Sequence, residues 1–338
     1  MLAYAPPDQS RLHCTPFLKG IDQPFEDSNE IIIEKFKEIT GIEERRYAEK
    51  EQTNSDLGII AAQKAIAAAG LDPETLDYII FAHNFGDVRF ASNHLDMLPA
   101  LASRVKHALG IANPNCVAYD MLFGCPGWIE ALIQANLYIK AGAAVNCLVI
   151  GSETLSRVVD PHDRDSMIFA DGAGACILSA NRTNDVSGIL AHATQTFTKD
   201  EAYFLNNGPS LNSKHHIHEK YIKMQGRKIY EFALTKVPAA MKIALDKSGV
   251  AIEDVKKIFI HQANEKMDEA IIDRFYRLFK AERPENIMPM NIQFNGNSSV
   301  ATVPTLLDAV IRGEYPEHQL NTGDVIILAS VGGGMHMN

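Results

Sequence analysis

The chain carries a copy of part of itself. Residues 61–83 (AAQKAIAAAGLDPETLDYIIFAH) lie over residues 240–262 (AMKIALDKSGVAIEDVKKIFIHQ), with Gly70 over Gly249, Leu71 over Val250 and Ile79 over Ile258. Each reads as a helix stopped by glycine, a short turn and a strand. The order continues in parallel: a glycine-marked turn feeding a helix (residues 124–140 and 296–312), then a strand (residues 147–150 and 325–329). One matched helix-turn-strand pair could arise by chance, because the pattern is common. The matched continuation makes duplication the simplest account. Strands that are continuously apolar (residues 78–82, 258–260 and 325–328) and alternate with helices require largely parallel sheets covered on both faces. The fold class is therefore α/β, in two pseudo-symmetric halves placed at residues 1–180 and 181–338.

Duplication directs attention to equivalent positions, since matching elements of two halves can converge on one pocket. In the first half the matching turn is Gly124-Cys125-Pro126-Gly127, between the strand-like residues 116–122 and a helix running from Pro126 to about Lys140, with Gly142 just beyond. Trp128, Ile129, Leu132, Ile133, Leu137 and Ile139 cover most of that helix, which places it inside the protein with the thiol facing an enclosed pocket. Cys125 stands at the positive end of the helix dipole, where the thiolate is favoured. A cysteine is ordinarily a small core residue, and that reading suits Cys14, Cys116, Cys147 and Cys176. For Cys125 the glycines and the helix start favour a nucleophile.

The second half is polar where the first has the thiol. His261 follows the strand at residues 258–260, at the strand end where α/β sites are built. Asn297 sits between a glycine and two serines ahead of a helix; alone it would read as a cap or turn former.

Composition limits what such a site could serve. At 338 residues, 46% hydrophobic and 22% charged, the chain suits a globular protein with a large core. Its 32 basic and 42 acidic residues give a net charge of -10, which argues against nucleic acid or an anionic membrane as partner. The five cysteines lack C-x-x-C spacing, and neither a leader nor a membrane span stands out. These features fit a cytoplasmic protein with reduced thiols. No metal site is expected: the run His215-His216-Ile217-His218 has no supporting carboxylate or cysteine spacing.

Gly124-Cys125-Pro126-Gly127, His261-Gln262-Ala263-Asn264, Gly296-Asn297-Ser298-Ser299 and Val331-Gly332-Gly333-Gly334 together resemble the β-ketoacyl-acyl carrier protein synthase III family, of the thiolase fold. Asp160-Pro161-His162-Asp163-Arg164 and Asp171-Gly172-Ala173-Gly174-Ala175 are similar to that family as well, and the likeness runs over residues 40–334. It implies a layered α-β-α-β-α arrangement and a homodimer that condenses an acyl starter with a malonyl thioester in fatty-acid or polyketide-type synthesis. Cys125 would carry the acyl group, its oxyanion held by the N–H groups of Cys125 and Gly334, while His261 and Asn297 stabilise the enolate left by decarboxylation. No cofactor is implied; acyl-CoA and acyl carrier protein thioesters are the substrates, and acyl carrier protein is the partner. An alternative is a specialised relative that transfers acyl groups or joins two acyl chains in a secondary pathway. A non-catalytic scaffold that only binds carrier proteins is disfavoured by the complete Cys/His/Asn set.

The resemblance also marks substrate-facing positions. Arg164 matches a nucleotide contact of coenzyme A, but Lys35 and Ile39 stand where the family carries a tryptophan and an arginine, leaving Arg164 without its aromatic partner. Lys266 matches a carrier-docking position, whereas Glu231 and Asp273 stand where basic residues are common, which implies altered carrier docking. Phe169 matches a pocket aromatic. The loop at residues 84–98 is longer than the family's, with Leu98 near the place of a bulky residue that closes the acyl pocket, partly across the dimer interface. The family begins and ends on core strands, whereas residues 1–27 offer only a weak candidate at residues 1–4, and four residues follow Gly334.

Overall fold

The computed structural model describes residues 15–92, 94–181, 187–215 and 218–338. The candidate strand at residues 1–4 and two members of the histidine run, His216 and Ile217, lie outside the described residues.

In the first half, α1 (Asn29–Thr40) ends at Gly41, and α2 (Asn54–Ala69) opens where the Asp56 carboxylate accepts the Thr53 backbone N–H at 2.8 Å. That carboxylate satisfies a donor that has no partner inside the helix. Helix α2 stops at Gly70, whose φ of 58° reverses the chain toward β1 (Tyr78–Ala82). Then come α3 (Leu101–Ala108), β2 (Val117–Met121), α4 (Gly127–Lys140), β3 (Asn146–Thr154) and β4 (Asp171–Ser179). The sheet order is β2-β1-β3-β4, with β1 parallel to both its neighbours and β4 antiparallel to β3.

The second half repeats the scheme. Helix α5 (Gly226–Ser248) stops at Gly249, φ 73°, and leads to β5 (Val255–Ile260), α6 (Glu265–Leu278), α7 (Thr302–Ile311) and β6 (Val325–Ala329). β5 pairs with β6 in parallel from Val255↔Val325 to Ile260↔Ala329, as β1 pairs with β3 from Tyr78↔Cys147 to Ala82↔Gly151. β3 runs well past the predicted residues 147–150, because its nine residues all pair with β4.

Packing separates the layers. Ile79 and Phe81 of β1 face one way, into a cluster with Ala62 and Ile66 of α2 and Leu101 and Val105 of α3. Ile80 faces the other way, into a cluster formed by Trp128, Ile129 and Leu132 of α4, Val303 and Leu306 of α7 and Phe259 of β5. Beyond β5, Ile258 and Ile260 meet Val237 and Met241 of α5 and Ile271 and Phe275 of α6. Both faces of each sheet are thus buried, which is why the runs at residues 78–82 and 258–260 are apolar at every position. The layers run α-β-α-β-α, with α4 and α7 sandwiched in the middle. Each large side chain buried there is worth about 2 kcal/mol. This middle layer carries Cys125 and Asn297 at the starts of its two helices.

Candidate active site

Cys125 lies between the end of β2 and the first residue of α4, in a turn whose Gly124 has φ 63°. A Cβ on Gly124 would stand 2.6 Å from the Gly333 carbonyl oxygen and 2.7 Å from its nitrogen. A Cβ on Gly332 would overlap the backbone nitrogen of Cys125. Only glycines let the two backbones approach this closely. The approach brings the Gly333 N–H to the sulfur of Cys125. Gly334 has φ 76°, and a Cβ there would strike the His336 ring. The family pattern points to Gly334 as the second donor, whereas the amide that the Gly124–Gly333 and Gly332–Cys125 contacts bring to the thiol is that of Gly333.

The sulfur opens onto a cavity of about 200 Å³ lined by Phe85, Leu155, Phe169, Leu205 and Ile222, with Asn84 and Ser299 at its polar end. Burial pushes the Cys125 thiol up to about 11, and the nearby Glu153 carboxyl adds to that. The Ser299 hydroxyl, donating to Sγ at 3.4 Å, and the N–H groups of Cys125 and Gly333 pull the other way. The thiolate preference expected from the helix start is thus overridden, because desolvation in an enclosed site outweighs a dipole end. A larger cavity of about 440 Å³ between α2, β4 and α7 holds neither Cys125, His261 nor Asn297.

Asn297 is buried, and its Oδ1 accepts the Ser299 N–H at 2.8 Å. A backbone N–H can only donate, so the amide oxygen is fixed there and Nδ2 is left as the donor. The turn-forming reading of Asn297 and the functional one are thus compatible. His261 follows β5, its backbone N–H donating to the Ala329 carbonyl at 2.8 Å. Burial lowers its imidazole to about 4, a backbone hydrogen bond with Ser299 working against this, so the ring is neutral near pH 7. Ser299 therefore touches Cys125, Asn297 and His261, and joins the three motifs into one site.

Such an arrangement can hold an acyl group on sulfur and present N–H donors to two separate oxygens. Ser299, Asn84 and Glu153 are additions to the residues singled out from sequence. A signal for Ser299 existed in the Asn-Ser-Ser turn; Asn84 and Glu153 gave none, since each matters only through its spatial neighbours.

The substrate-facing positions divide. Phe169 lines the cavity and forms a backbone bridge with Asn297. Leu98 is 89% exposed and does not line the cavity. The Arg164 guanidinium lies 5.2 Å from the centre of the Phe25 ring, which precedes α1. Lys266 is exposed in the first turn of α6. Glu231 pairs with Arg227 at 2.9 Å, while Asp273, 3.1 Å from Arg283, shares that guanidinium with Glu269. The long loop is closed by mutual backbone bonds between Asp87 and Asp96, both also paired with Arg104. Among the described residues no group of three potential ligands could hold a metal ion, and no helix is long and apolar enough to cross a membrane.

Two half-folds around a middle layer, with a cysteine and an asparagine at the starts of its helices, define a thiolase-fold acyltransferase. Residues 119–196 match the family described as 3-oxoacyl-[acyl-carrier-protein (ACP)] synthase III, and residues 245–338 match its C-terminal part. The β-ketoacyl-[acyl-carrier-protein] synthase III of Sphingopyxis alaskensis is 33% identical over 311 residues, 91% of this chain and 88% of that protein. That of Cereibacter sphaeroides is 35% identical over 88% of this chain and 85% of its own. The crystal structure of 3-oxoacyl-[acyl-carrier-protein] synthase III from Aquifex aeolicus matches with a TM-score of 0.74 at 32% identity, over 92% of this chain and 90% of that one. The priming β-ketosynthase of the R1128 polyketide pathway also matches, with a TM-score of 0.74 at 25% identity over 92% and 86%. The chain belongs to the β-ketoacyl-acyl carrier protein synthase III family and is a condensing enzyme, a ketosynthase.

Proposed function

We propose that the enzyme carries an acyl starter on Cys125 and condenses it with a malonyl thioester to give a β-ketoacyl thioester, without a cofactor. The observation that carries this reading is Ser299 binding Cys125, Asn297 and His261 into one site. The sulfur of Cys125 attacks the starter thioester; its C–S bond to the carrier breaks, and the carrier thiol leaves with the proton. The N–H groups of Cys125 and Gly333 bind the transient oxyanion. Decarboxylation of the malonyl thioester then leaves an enolate, whose oxygen accepts hydrogen bonds from Asn297 Nδ2 and from the one N–H of neutral His261, taken over from the Ser299 backbone. Its carbon attacks the acyl carbonyl, a C–C bond forms, and Cys125 departs as a thiolate that is reprotonated. An uncharged donor at 297 suits this step, because a carboxylate would repel the enolate.

Phe169 bounds the acyl chain. Arg164 and Lys266 serve the carrier end, where an acidic acyl carrier protein docks, with Glu231 and Asp273 altering that docking. A homodimer is supported by β2, which has one sheet neighbour among the described residues, and by Val117, Leu122 and Leu98, exposed at 46%, 57% and 89%. Leu98 would then serve the partner's pocket. The halves divide near residue 180, and the cytoplasm is the compartment proposed. Intact mass after exposure to acyl-CoA and acyl-carrier thioesters, followed by labelled malonyl carrier protein, tests the reading. An acyl adduct on Cys125 with carbon dioxide release and a β-keto product supports it; adduct transfer without decarboxylation favours the acyl-transfer alternative.

A further inference from the structure

A hydrogen-bonded chain runs from a buried carboxylate to the sulfur of Cys125. Glu153, at the end of β3, is fully buried, and its Oε2 accepts both the backbone N–H and the side-chain Nδ2 of Asn84, each at 2.8 Å. Nδ2 of Asn84 also reaches the Ser299 hydroxyl oxygen at 3.3 Å. An amide nitrogen can only donate, so Ser299 Oγ accepts there, and its single proton is left for the sulfur 3.4 Å away. The backbone is shaped to this end. Ser299 has φ 55°, a left-handed conformation that a non-glycine residue adopts at a cost. Three strand ends and a helix start converge on the cluster: Asn84 after β1, Cys125 after β2, Glu153 on β3 and Ser299 before α7.

We propose that Ser299 is a catalytic residue that stabilises the Cys125 thiolate by donating a hydrogen bond, and that Asn84, clamped by Glu153, is the positioning residue that aims its hydroxyl. Ser299 keeps its proton throughout. It lowers the cost of charge on sulfur twice, when Cys125 attacks the starter and when it departs from the condensed product. The proposal rests on the reading of Cys125 as acyl carrier. The titratable groups around the cluster are Glu153 itself, His261, joined to Ser299, and His83, whose Nδ1 accepts the Gly86 N–H at 3.0 Å and whose Nε2 lies 3.0 Å from Asp120. Of these, the Glu153 carboxylate opposes the thiolate, and the Ser299 hydroxyl acts in the opposite direction.

Alkylation of Cys125 by iodoacetamide, followed by intact mass from neutral to mildly alkaline pH, tests this without an acyl substrate. Ser299→Ala slows alkylation roughly tenfold, the size of one hydrogen bond to a charged group. Ser299→Gly slows it as much while relieving the positive φ, an outcome that a purely structural serine would reverse. Asn84→Ala slows it roughly threefold, and adding it to Ser299→Ala has no further effect if Asn84 acts through the hydroxyl. Thiolate ultraviolet absorbance, read against Cys125→Ser, must titrate at higher pH in the slowed variants. Unchanged rates, additive losses in the double variant, or slowed alkylation with an unmoved absorbance titration each overturn the proposal. Product formation from malonyl carrier protein is scored separately. Alkylation as expected without β-keto product removes the functional reading and leaves the relay, whereas normal condensation with unchanged alkylation removes the relay alone.

Discussion

Glu153→Gln should change how stability depends on pH within one defined window. The Glu153 carboxyl is raised from its ordinary 4.5 to about 7, chiefly by burial, with His83 and the Asn84 hydrogen bonds acting in the opposite direction. Between those values the folded protein holds a proton that the unfolded chain has released. The unfolded state binds fewer protons there, so folding stability falls as pH rises from 4.5 to about 7. At ~1.36 kcal/mol per pH unit the gap is worth about 3 kcal/mol, an order-of-magnitude figure. Glutamine keeps a carbonyl oxygen for Asn84 and cannot ionise. The stability of Glu153→Gln relative to the wild type should therefore rise across this window by about 3 kcal/mol and level off on either side. Any fixed cost of burying the new amide shifts the difference curve vertically without changing its shape. Urea unfolding of both proteins at a series of pH values measures that curve. A flat difference through the window would mean that Glu153 is not a buried acid with a raised pKa, and would remove the argument that its charge bears on Cys125.

His261 should act with the opposite sign. Its imidazole is lowered from 6.5 to about 4, so the unfolded chain binds the extra proton between those values, and stability rises with pH by about 3 kcal/mol. His261→Gln should lose that slope in the same unfolding series, and a retained slope refutes the assignment. Asn297→Asp should still acylate at Cys125 but lose condensation by two to three orders of magnitude, roughly the effect of losing one oxyanion-type donor; single-turnover acylation measured beside carbon dioxide release separates the two steps. Gly332→Ala places a Cβ against the Cys125 backbone and displaces Gly333, so acylation should fall about 10²-fold or more while circular dichroism stays close to native. Unimpaired acylation would count against Gly333 as an oxyanion donor.

The periodic features of the chain predicted the helix-strand units because each is dictated locally. Gly70 and Gly249 stop their helices in left-handed conformations, and the apolar runs of β1 and β5 are buried on both faces. The lengths of β3 and β5 were not local, since pairing with β4 and β6 extends them beyond their apolar cores. Cys125, His261 and Asn297 could be found because each stands at a turn of special composition or at a strand end. Phe25 beside Arg164 could not, because a ring before α1 and a cation after β3 meet only through the tertiary fold.

Gly333 shows the same boundary at finer grain. Three successive glycines are equivalent to a reader of sequence, and the family pattern alone led to Gly334. What separates them is contact: Gly332 packs on the Cys125 backbone, Gly124 packs on Gly333, and Gly334 packs on the His336 ring. The electrostatics of the nucleophile follow the same rule. A helix start is visible in the chain and favours a thiolate, but the enclosure that pushes the thiol up to about 11 is a property of the assembled site. Resting Cys125 is therefore a protonated thiol near neutral pH. Its charge must be stabilised when the starter arrives, by the Gly333 and Cys125 N–H groups and by the one hydroxyl whose proton points at the sulfur.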